Sequence, residues 1–261
     1  RAKLFFDAKQ TRAGIVTCGG LCPGLNNVIR SLFLELHYGY GVAEVLGFRG
    51  GYSGLDPSHG REPVKITPQF VDGIHQKGGT ILGSSRGPVD KGKAVENLIA
   101  RGVNILFTVG GDGTQRGAND LYQEARRRGH ALSVVGVPKT IDNDVGFVAR
   151  TFGFFSAVEE AACVLDCAHT EARSVSGGIG LVKLMGRHAG FLTAAATVAS
   201  QDVNFALIPE VPFALDPFLA ALKQRMLNKS HAVIAVAEGA GQDLLAADSH
   251  ERDASGNVKL K

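Results

Sequence analysis

LSVVGVPKTIDND, residues 132–144, joins an apolar run to the most polar short stretch of the chain. The apolar part, 132–137, predicts a buried strand, and the polar part, 138–144, carries two carboxylates, an amide, a hydroxyl and a cation. Such groups inside a strand would each need a partner or cost about 1–3 kcal/mol. The polar run is therefore expected just past the strand's C-terminal end, where open α/β sheets bind their ligands.

A second polar run also follows an apolar stretch. The residues GGDGT, 110–114, come directly after Asn104–Val109. Asp112 would supply an oxygen ligand for Mg²⁺ bound to phosphates. Gly113 leaves space beside it, and an acidic residue there would repel a nucleotide's inner phosphate. Two strand ends of this kind suggest an enzyme that handles phosphate.

Within the first run, Asp142 is the best candidate for a general base. An Asp near its ordinary pKa of about 3.9 is ionised at neutral pH and can accept a hydroxyl proton during phosphoryl transfer. Thr140 can hydrogen-bond a phosphate, and Lys139 can neutralise charge on the transferring oxygens. The alternative is an Asx-rich turn that caps a helix.

Short β-branched runs alternate with helical patterns along the chain, which predicts βαβ units and a mainly parallel sheet covered on both faces. Strands are predicted at 13–17, 44–48, 80–82, 104–109, 132–137, 178–184, 205–208 and 232–237, and helices at 25–37, 68–76, 91–101, 115–128, 154–169, 188–199 and 217–228. We expect an α/β protein with two Rossmann-like three-layer α/β/α domains, residues 1–150 and 151–261.

Composition describes a soluble globular protein. The 261 residues are 44% hydrophobic and 20% charged, with a net charge of +3. The dispersed basic residues make nucleic-acid binding a weak hypothesis. The four cysteines lack zinc-knuckle spacing, and we see neither a signal peptide nor an apolar run long enough to span a membrane. We therefore expect a cytoplasmic protein with reduced thiols and no membrane partner.

Glycine is unusually frequent: it makes up 34 of the 261 residues, nearly twice the usual share of about 7%. The stretch TCGGLCPGLN, 17–26, links a strand to a helix and can turn backbone N–H groups towards an anion, although it fits neither the P-loop nor the Rossmann fingerprint. Arg86, Arg187 and Glu238 each follow a predicted strand in a glycine-containing segment. Taken one at a time, each is equally well explained as an ordinary structural residue.

Together these motifs resemble the 6-phosphofructokinase family, most closely its plant-like ATP-dependent and PPi-related branch. The matching stretches, in order, are GGLCPGLN (19–26), GGTILGSSR (78–86), GGDGT (110–114), PKTIDND (138–144), MGRHAG (185–190), PEVPF (209–213) and AEGAG (237–241). GGDGT also occurs in NAD and diacylglycerol kinases, whereas PKTIDND followed by MGR is highly specific. Family members continue beyond this point, so we expect the second domain to be incomplete at its C-terminus.

The resemblance implies transfer of a phosphoryl group to the 1-hydroxyl of fructose 6-phosphate, with the first domain binding ATP and Mg²⁺ and the second the sugar phosphate. Carried over by motif, the catalytic residues would be Lys139, Thr140, Asp142 and Arg187. Substrate would be bound by Thr140, Ile141, Asp142, Met185, Gly186, Arg187 and Glu238. The donor would be bound by Gly20, Arg86, Gly87, Gly111, Asp112, Gly113 and Thr114, with Asp112 on the metal.

The donor is the main alternative within the resemblance. Gly113 resembles the ATP-using pattern, while Lys139 resembles the PPi-using pattern, and the plant-like ATP enzymes combine both. We therefore expect ATP as the donor, with PPi as the alternative. A non-catalytic regulatory subunit that binds phosphosugars is a remote alternative, and a homo-oligomer, dimer or tetramer, is expected.

Overall fold

The chain forms two compact α/β units, residues 1–139 and 140–261. A computed structural model describes residues 4–244 and 251. Residues 140–150, which the sequence analysis assigned to the first domain, lie within the second unit. Among the described residues, no helix combines the length and apolarity needed to cross a membrane.

The first unit is built on a five-stranded sheet. Its strands are β1 (Arg12–Thr17), β2 (Glu44–Phe48), β3 (Val64–Lys65), β4 (Val103–Gly110) and β5 (Ser133–Pro138). They lie in the order β3-β2-β1-β4-β5, and all neighbours are parallel except β2 and β3. The order reverses between β1 and β4, and ligands of open α/β sheets bind outside the strand ends at such a point.

Both faces of this sheet are covered. The helices are α1 (Leu25–Leu34), which continues as a π-helical turn Glu35–Gly39, α2 (Lys91–Ala100) and α3 (Asp112–Arg127). Ile15 packs with Ile29 and Phe33 of α1, whereas the next strand residue, Val16, belongs to the cluster that contains Leu98 of α2 and Leu121 of α3. Because successive strand side chains point to opposite faces, this alternation produces an α/β/α sandwich.

The second unit carries a three-stranded parallel sheet. Its elements are α4 (Phe154–Ser174), β6 (Gly178–Leu184), α5 (Phe191–Ser200), β7 (Phe205–Leu207), α6 (Leu215–Lys229) and β8 (His231–Ala237). The strand order is β6-β8-β7, so β8 is central. Leu165 of α4 and Ala196 of α5 pack with Val182 of β6 and Val233 of β8. The predicted α/β class with mainly parallel sheets is confirmed.

Two predicted elements are wrong. The helix predicted at 68–76 is a series of turns that ends in one 3₁₀ turn, Ile74–Gln76, because Gly73 has a left-handed φ of +67°. The segment predicted as a strand at 80–82 is a turn, in which the Gly83 N–H donates to the Thr80 carbonyl at 3.1 Å. Both segments still bury apolar side chains, Val71, Ile74 and Leu82, which explains their apolar patterns.

Candidate active site

In the first unit, the turn after β1 is tied to the segment that ends in Arg86. The Gly19 N–H donates to the Ser85 carbonyl at 3.0 Å, and the Ser84 hydroxyl donates to the Gly19 carbonyl at 2.6 Å. A turn fixed in this way keeps its remaining backbone N–H groups oriented, as an anion-binding loop requires.

Two cations flank this turn. Lys139 is 6% exposed, and its Nζ donates to the Gly20 carbonyl at 2.6 Å. A Cβ atom on Gly20 would lie 2.9 Å from Nη2 of Arg86, so the absence of a side chain there leaves room for the guanidinium. Arg86 and Gly87 are exposed. An ammonium and a guanidinium beside one glycine turn form a suitable environment for phosphate oxygens.

The segment after β4 lies against the same lysine. The Lys139 N–H donates to the Gly110 carbonyl at 3.0 Å, and a Cβ on Gly111 would lie 3.3 Å from the Lys139 carbonyl oxygen. Asp112 begins α3, is 57% exposed and pairs with Arg116. A Cβ on Gly113 would meet nothing within 4 Å. The carboxylate of Asp112 is thus accessible to a ligand, with open space beside it.

The side chain of Thr114 lies inside the first unit, unlike the exposed carboxylate of Asp112. Thr114 is buried, and its side chain lies so close to Gly110 that a Cβ there would be 2.2 Å from the Thr114 hydroxyl oxygen. The Tyr52 hydroxyl donates to the Thr114 carbonyl at 2.7 Å. Thr114 therefore faces the interior of the first unit, where it anchors the start of α3.

Cys18, between β1 and the glycine turn, is also buried. Burial raises the pKa of its thiol to about 12, although hydrogen bonds from Tyr52 and Thr114 and the charge of Lys139 oppose the shift. The thiol is protonated at neutral pH, which indicates a packing role rather than a nucleophile.

An open cavity of about 520 Å³ adjoins the turn. Its lining includes Ser84, whose hydroxyl holds Gly19, and two arginines, Arg49 and Arg61. The full lining is Arg49, Gly50, Gly60, Arg61, Glu62, Gly83 and Ser84. Two arginines and one glutamate make this lining polar and charged.

In the second unit, Asp142 lies among other charged groups. Its pKa is raised to about 6, mainly because burial removes water from the carboxylate, and further because Asp144 and Glu238 add negative charge. Arg187 and His188 oppose the shift. Oδ1 of Asp142 is buried and has no hydrogen-bond partner among the described residues. A carboxylate with this pKa is mostly ionised at neutral pH and basic enough to take a proton.

The neighbours of Asp142 have different environments. Thr140 accepts a hydrogen bond from the Asp142 N–H through its hydroxyl oxygen, at 3.0 Å. Ile141 packs against a cluster formed by Phe154, Val158 and Leu192, so its side chain anchors the segment to α4 and α5. Any contact of Ile141 with substrate would thus involve its backbone.

The loop after β6 carries Met185, Gly186 and Arg187 and is held by the end of β8. The Glu238 N–H donates to the Leu184 carbonyl at 2.9 Å, and the Gly239 N–H donates to that of Gly186 at 3.1 Å. Met185 is 54% exposed. These backbone bonds bring Arg187 and Glu238 to one edge of the sheet, as the sequence analysis expected of strand ends.

Sequence reasoning missed Glu210. Its Oε1 accepts a hydrogen bond from the Gly190 N–H at 2.7 Å, at the start of α5. Gly190 has no side chain to cap this helix, so the carboxylate comes from the segment after β7 instead. The sequence analysis began this helix at residue 188, so it did not mark Gly190 as the N-cap residue.

A comparison with known protein families covers both units of the chain. A sequence model described as Phosphofructokinase matches residues 12–258. The chain belongs to the phosphofructokinase family. Because the match spans both units, the family assignment includes the motifs of each.

Several family members resemble the whole chain. It is 52% identical over 260 residues to the ATP-dependent 6-phosphofructokinase of Trypanosoma brucei brucei, covering 100% of this chain and 53% of that protein. For ATP-dependent 6-phosphofructokinase 7 of Arabidopsis thaliana the identity is 47% over 266 residues, covering 100% and 54%. The chain thus spans about half the length of the curated relatives it matches.

A solved family structure supports the fold. The pyrophosphate-dependent phosphofructokinase from Marinobacter aquaeolei matches with a TM-score of 0.78 at 25% identity, covering 88% of this chain and 61% of that one. The predicted phosphofructokinase fold is therefore confirmed.

Proposed function

We propose that this chain, within its whole protein, is an ATP-dependent 6-phosphofructokinase that converts fructose 6-phosphate and ATP to fructose 1,6-bisphosphate and ADP. The observation that carries the proposal is the grouping of the buried carboxylate of Asp142, whose Oδ1 has no hydrogen-bond partner among the described residues, with Arg187 and Glu238 on the loops that backbone bonds hold together. A sugar phosphate that receives a phosphoryl group requires three kinds of group in its site. These are a base, a cation that binds its phosphate and a side chain that accepts hydrogen bonds from its hydroxyls. The ATP-dependent names of the relatives support the choice of reaction.

In the proposed mechanism, the loops of the second unit bind the acceptor sugar. Arg187 binds the phosphate of the sugar, and Glu238 binds its hydroxyl groups. The backbone of Ile141 and the exposed Met185–Gly186 segment also contact the sugar. Asp142 accepts the proton of the 1-hydroxyl as that oxygen forms its bond to the γ-phosphorus. The bond from the γ-phosphorus to the bridging oxygen breaks, and ADP leaves with both electrons of that bond.

The loops of the first unit bind the donor in this proposal. The turn contacts phosphate oxygens through the Gly20 N–H, because the Gly19 N–H already donates to Ser85, and Lys139 and Arg86 offset the phosphate charge. Mg²⁺ fits this site because Asp112 presents an accessible carboxylate, the hard oxygen ligand that the ion prefers. The described part of the chain contains no group of three or more His, Cys, Asp or Glu side chains that could hold a metal ion. When bound, Mg²⁺ would neutralise phosphate charge.

A direct assay tests the function. The full-length protein is incubated with fructose 6-phosphate and Mg²⁺ and with either ATP or PPi, and fructose 1,6-bisphosphate is measured. We expect product with ATP and much less with PPi. If product forms with PPi but not with ATP, the donor is PPi and the proposed donor is wrong. If no product forms with either donor, the proposed reaction is contradicted. The cytoplasmic location and the homo-oligomer stay predictions.

Gly113→Asp is expected to weaken the use of ATP more than that of PPi. A Cβ at this position meets no atom within 4 Å, so the backbone accepts a side chain and the effect comes from the new negative charge. Like charges at close range disfavour binding, and ATP places an additional phosphate there. kcat/KM for each donor measures the effect.

Gly113→Asn is the matched control for this substitution, since it adds nearly the same volume without the charge. An Asn variant that loses as much ATP activity as the Asp variant would assign the effect to side-chain size. Equal losses of ATP and PPi activity in the Asp variant would contradict the charge argument.

The pH dependence of kcat/KM is expected to fall on the acid side with a midpoint near 6. Asp142 must be ionised to accept a proton, and its pKa is about 6 rather than the usual 3.8, so activity is lost as pH falls through this higher value. A pH series at saturating donor and low fructose 6-phosphate measures the midpoint, after kcat/KM is divided by the fraction of the sugar phosphate that is doubly ionised, since its own pKa is about 6. A midpoint near the ordinary Asp value would contradict the assigned environment of the base.

A further inference from the structure

The segment between β5 and α4 has its two ends joined by side chains. Thr151, which is 3% exposed, donates its N–H to Oδ1 of Asn143 at 2.9 Å and its hydroxyl to the Thr140 carbonyl at 2.6 Å. Nδ2 of Asn143 in turn donates to the Ala149 carbonyl at 3.3 Å. We call the hydrogen bonds of Asn143 and Thr151 the Asn143–Thr151 clasp. It brackets Asp142 from both sides in the sequence.

The clasp also supports an uncommon backbone turn. Asn143 has a left-handed φ of +54°, a conformation that Asn tolerates better than most residues. Since Asn143 directly follows Asp142, this turn sets the direction in which the chain leaves the candidate base. Thr140, on the other side, has its carbonyl held by Thr151 and its hydroxyl oxygen bonded to the Asp142 N–H.

The carboxylate of Asp142 has less support of its own. Its buried Oδ1 has no hydrogen-bond partner among the described residues, so no bond at that oxygen holds the side chain in place. Its orientation is then set by the backbone from which it projects together with the charges around it, among them Arg187. A catalytic group that lies about 1 Å from its productive position can lose about 10²-fold in rate.

We propose that Asn143 and Thr151 are positioning residues for phosphoryl transfer, because their clasp fixes the backbone on both sides of Asp142. This inference rests on the proposed function, in which Asp142 is the base. Neither side chain needs to touch the substrate. Their role is to hold one orientation of a carboxylate that must stay free to accept a proton.

The test compares two substitutions in the full-length protein. Thr151→Val keeps the shape but removes the hydroxyl that holds the Thr140 carbonyl, and Thr151→Ser keeps the hydroxyl. We expect the Val variant to lose about 10- to 100-fold in kcat with KM for fructose 6-phosphate changed by less than roughly twofold. The Ser variant should retain most of the wild-type kcat. Thr170→Val, on the exposed side of α4, is the matched control and should leave kcat unchanged.

A second readout separates positioning from general stabilisation. Loosening the segment should admit water to Asp142, which lowers its pKa towards 3.8. The acid limb of the pH profile should then move to lower pH in the Val variant but not in the Ser variant. A clasp that only stabilises the fold would lower the amount of active protein and leave this limb where it is.

The outcomes distinguish the two proposals. If the wild-type protein is active and the Thr151→Val and Thr151→Ser variants have equal kcat values, the positioning role of the clasp is overturned and the proposed function is unaffected. An inactive wild type overturns both. If Thr151→Val does not fold, Asn143→Gly is the substitute, since Gly keeps the left-handed turn and removes the side chain. It should show the same loss of kcat, and an unchanged kcat overturns the inference.

Discussion

Replacement of Asp142 by Asn is expected to lower kcat by about 10²–10⁴-fold, the range that a positioned general base contributes. Asn has nearly the same shape but cannot take the proton of the acceptor hydroxyl. Binding of fructose 6-phosphate should be nearly retained, because Arg187, Glu238 and the Met185–Gly186 segment are unchanged. Steady-state kinetics of the full-length protein, together with direct titration of the sugar phosphate, measures both quantities.

The same substitution should make the protein more stable at neutral pH. The pKa of Asp142 is raised from 3.8 to about 6 in the folded state, so its contribution to stability is fully present below 3.8 and is lost as pH rises through 6. The Asn variant lacks this penalty, and its thermal midpoint should exceed that of the wild type at about pH 7.5, with the difference disappearing in acid.

Asp166→Asn is the matched control for Asp142→Asn. Asp166 is an exposed carboxylate on α4 of the same unit, so its neutralisation should leave both kcat and stability close to wild type. An Asp142→Asn variant that keeps its kcat would remove Asp142 from the role of base. A variant that loses kcat without any gain in stability at neutral pH would contradict the partly desolvated environment of the carboxylate.

The fold could be predicted from the sequence where the pattern of apolar residues and the turn-forming residues around it indicate the same element. The strand Gly178–Leu184 was predicted with the observed bounds, since it is a mostly apolar run between Ser176-Gly177 and the turn at Gly186. The failures occurred where burial does not require regular structure. Leu82 is fully buried, but it lies in a connection whose flanking residue Gly83 has a φ of +67°. Apolar content alone cannot distinguish such a segment from a strand.

The candidate site divides along a similar line. The sequence analysis expected polar residues at strand ends, and the structure places Arg187 and Glu238 after the neighbouring parallel strands β6 and β8, whose C-terminal ends share one edge. Asp142 follows a strand of the other sheet and is close enough to both for their charges to affect its pKa. Residues that act through other residues were not predicted. Thr151 and Glu210 bond to backbone groups that lie 11 and 20 residues away, and such pairings depend on the folded geometry.

Gly239→Ala is expected to lower the free energy of unfolding by about 1–3 kcal/mol, the usual cost of forcing an added methyl group into packed surroundings. A Cβ at this position would lie 1.8 Å from the Arg187 carbonyl oxygen, so the backbone of one of the two loops must move. The atom that it meets belongs to the main chain, which cannot rotate away as the end of a flexible side chain can.

The same methyl group should lower kcat/KM by about 10²-fold, since a displacement of about 1 Å in a catalytic group has that effect. Gly239 carries no functional group, and its N–H already bonds to the Gly186 carbonyl, so the loss would report loop geometry alone. Denaturant unfolding followed by circular dichroism, and kinetics normalised to the folded fraction, measure the two effects separately. Gly146→Ala, where a Cβ meets nothing within 4 Å, is the control for stability. A Gly239→Ala variant with wild-type stability and wild-type kcat/KM would contradict this prediction. It would mean that the loop of Arg187 can move without loss of stability, so the close backbone contact does not hold Arg187 in position near Asp142.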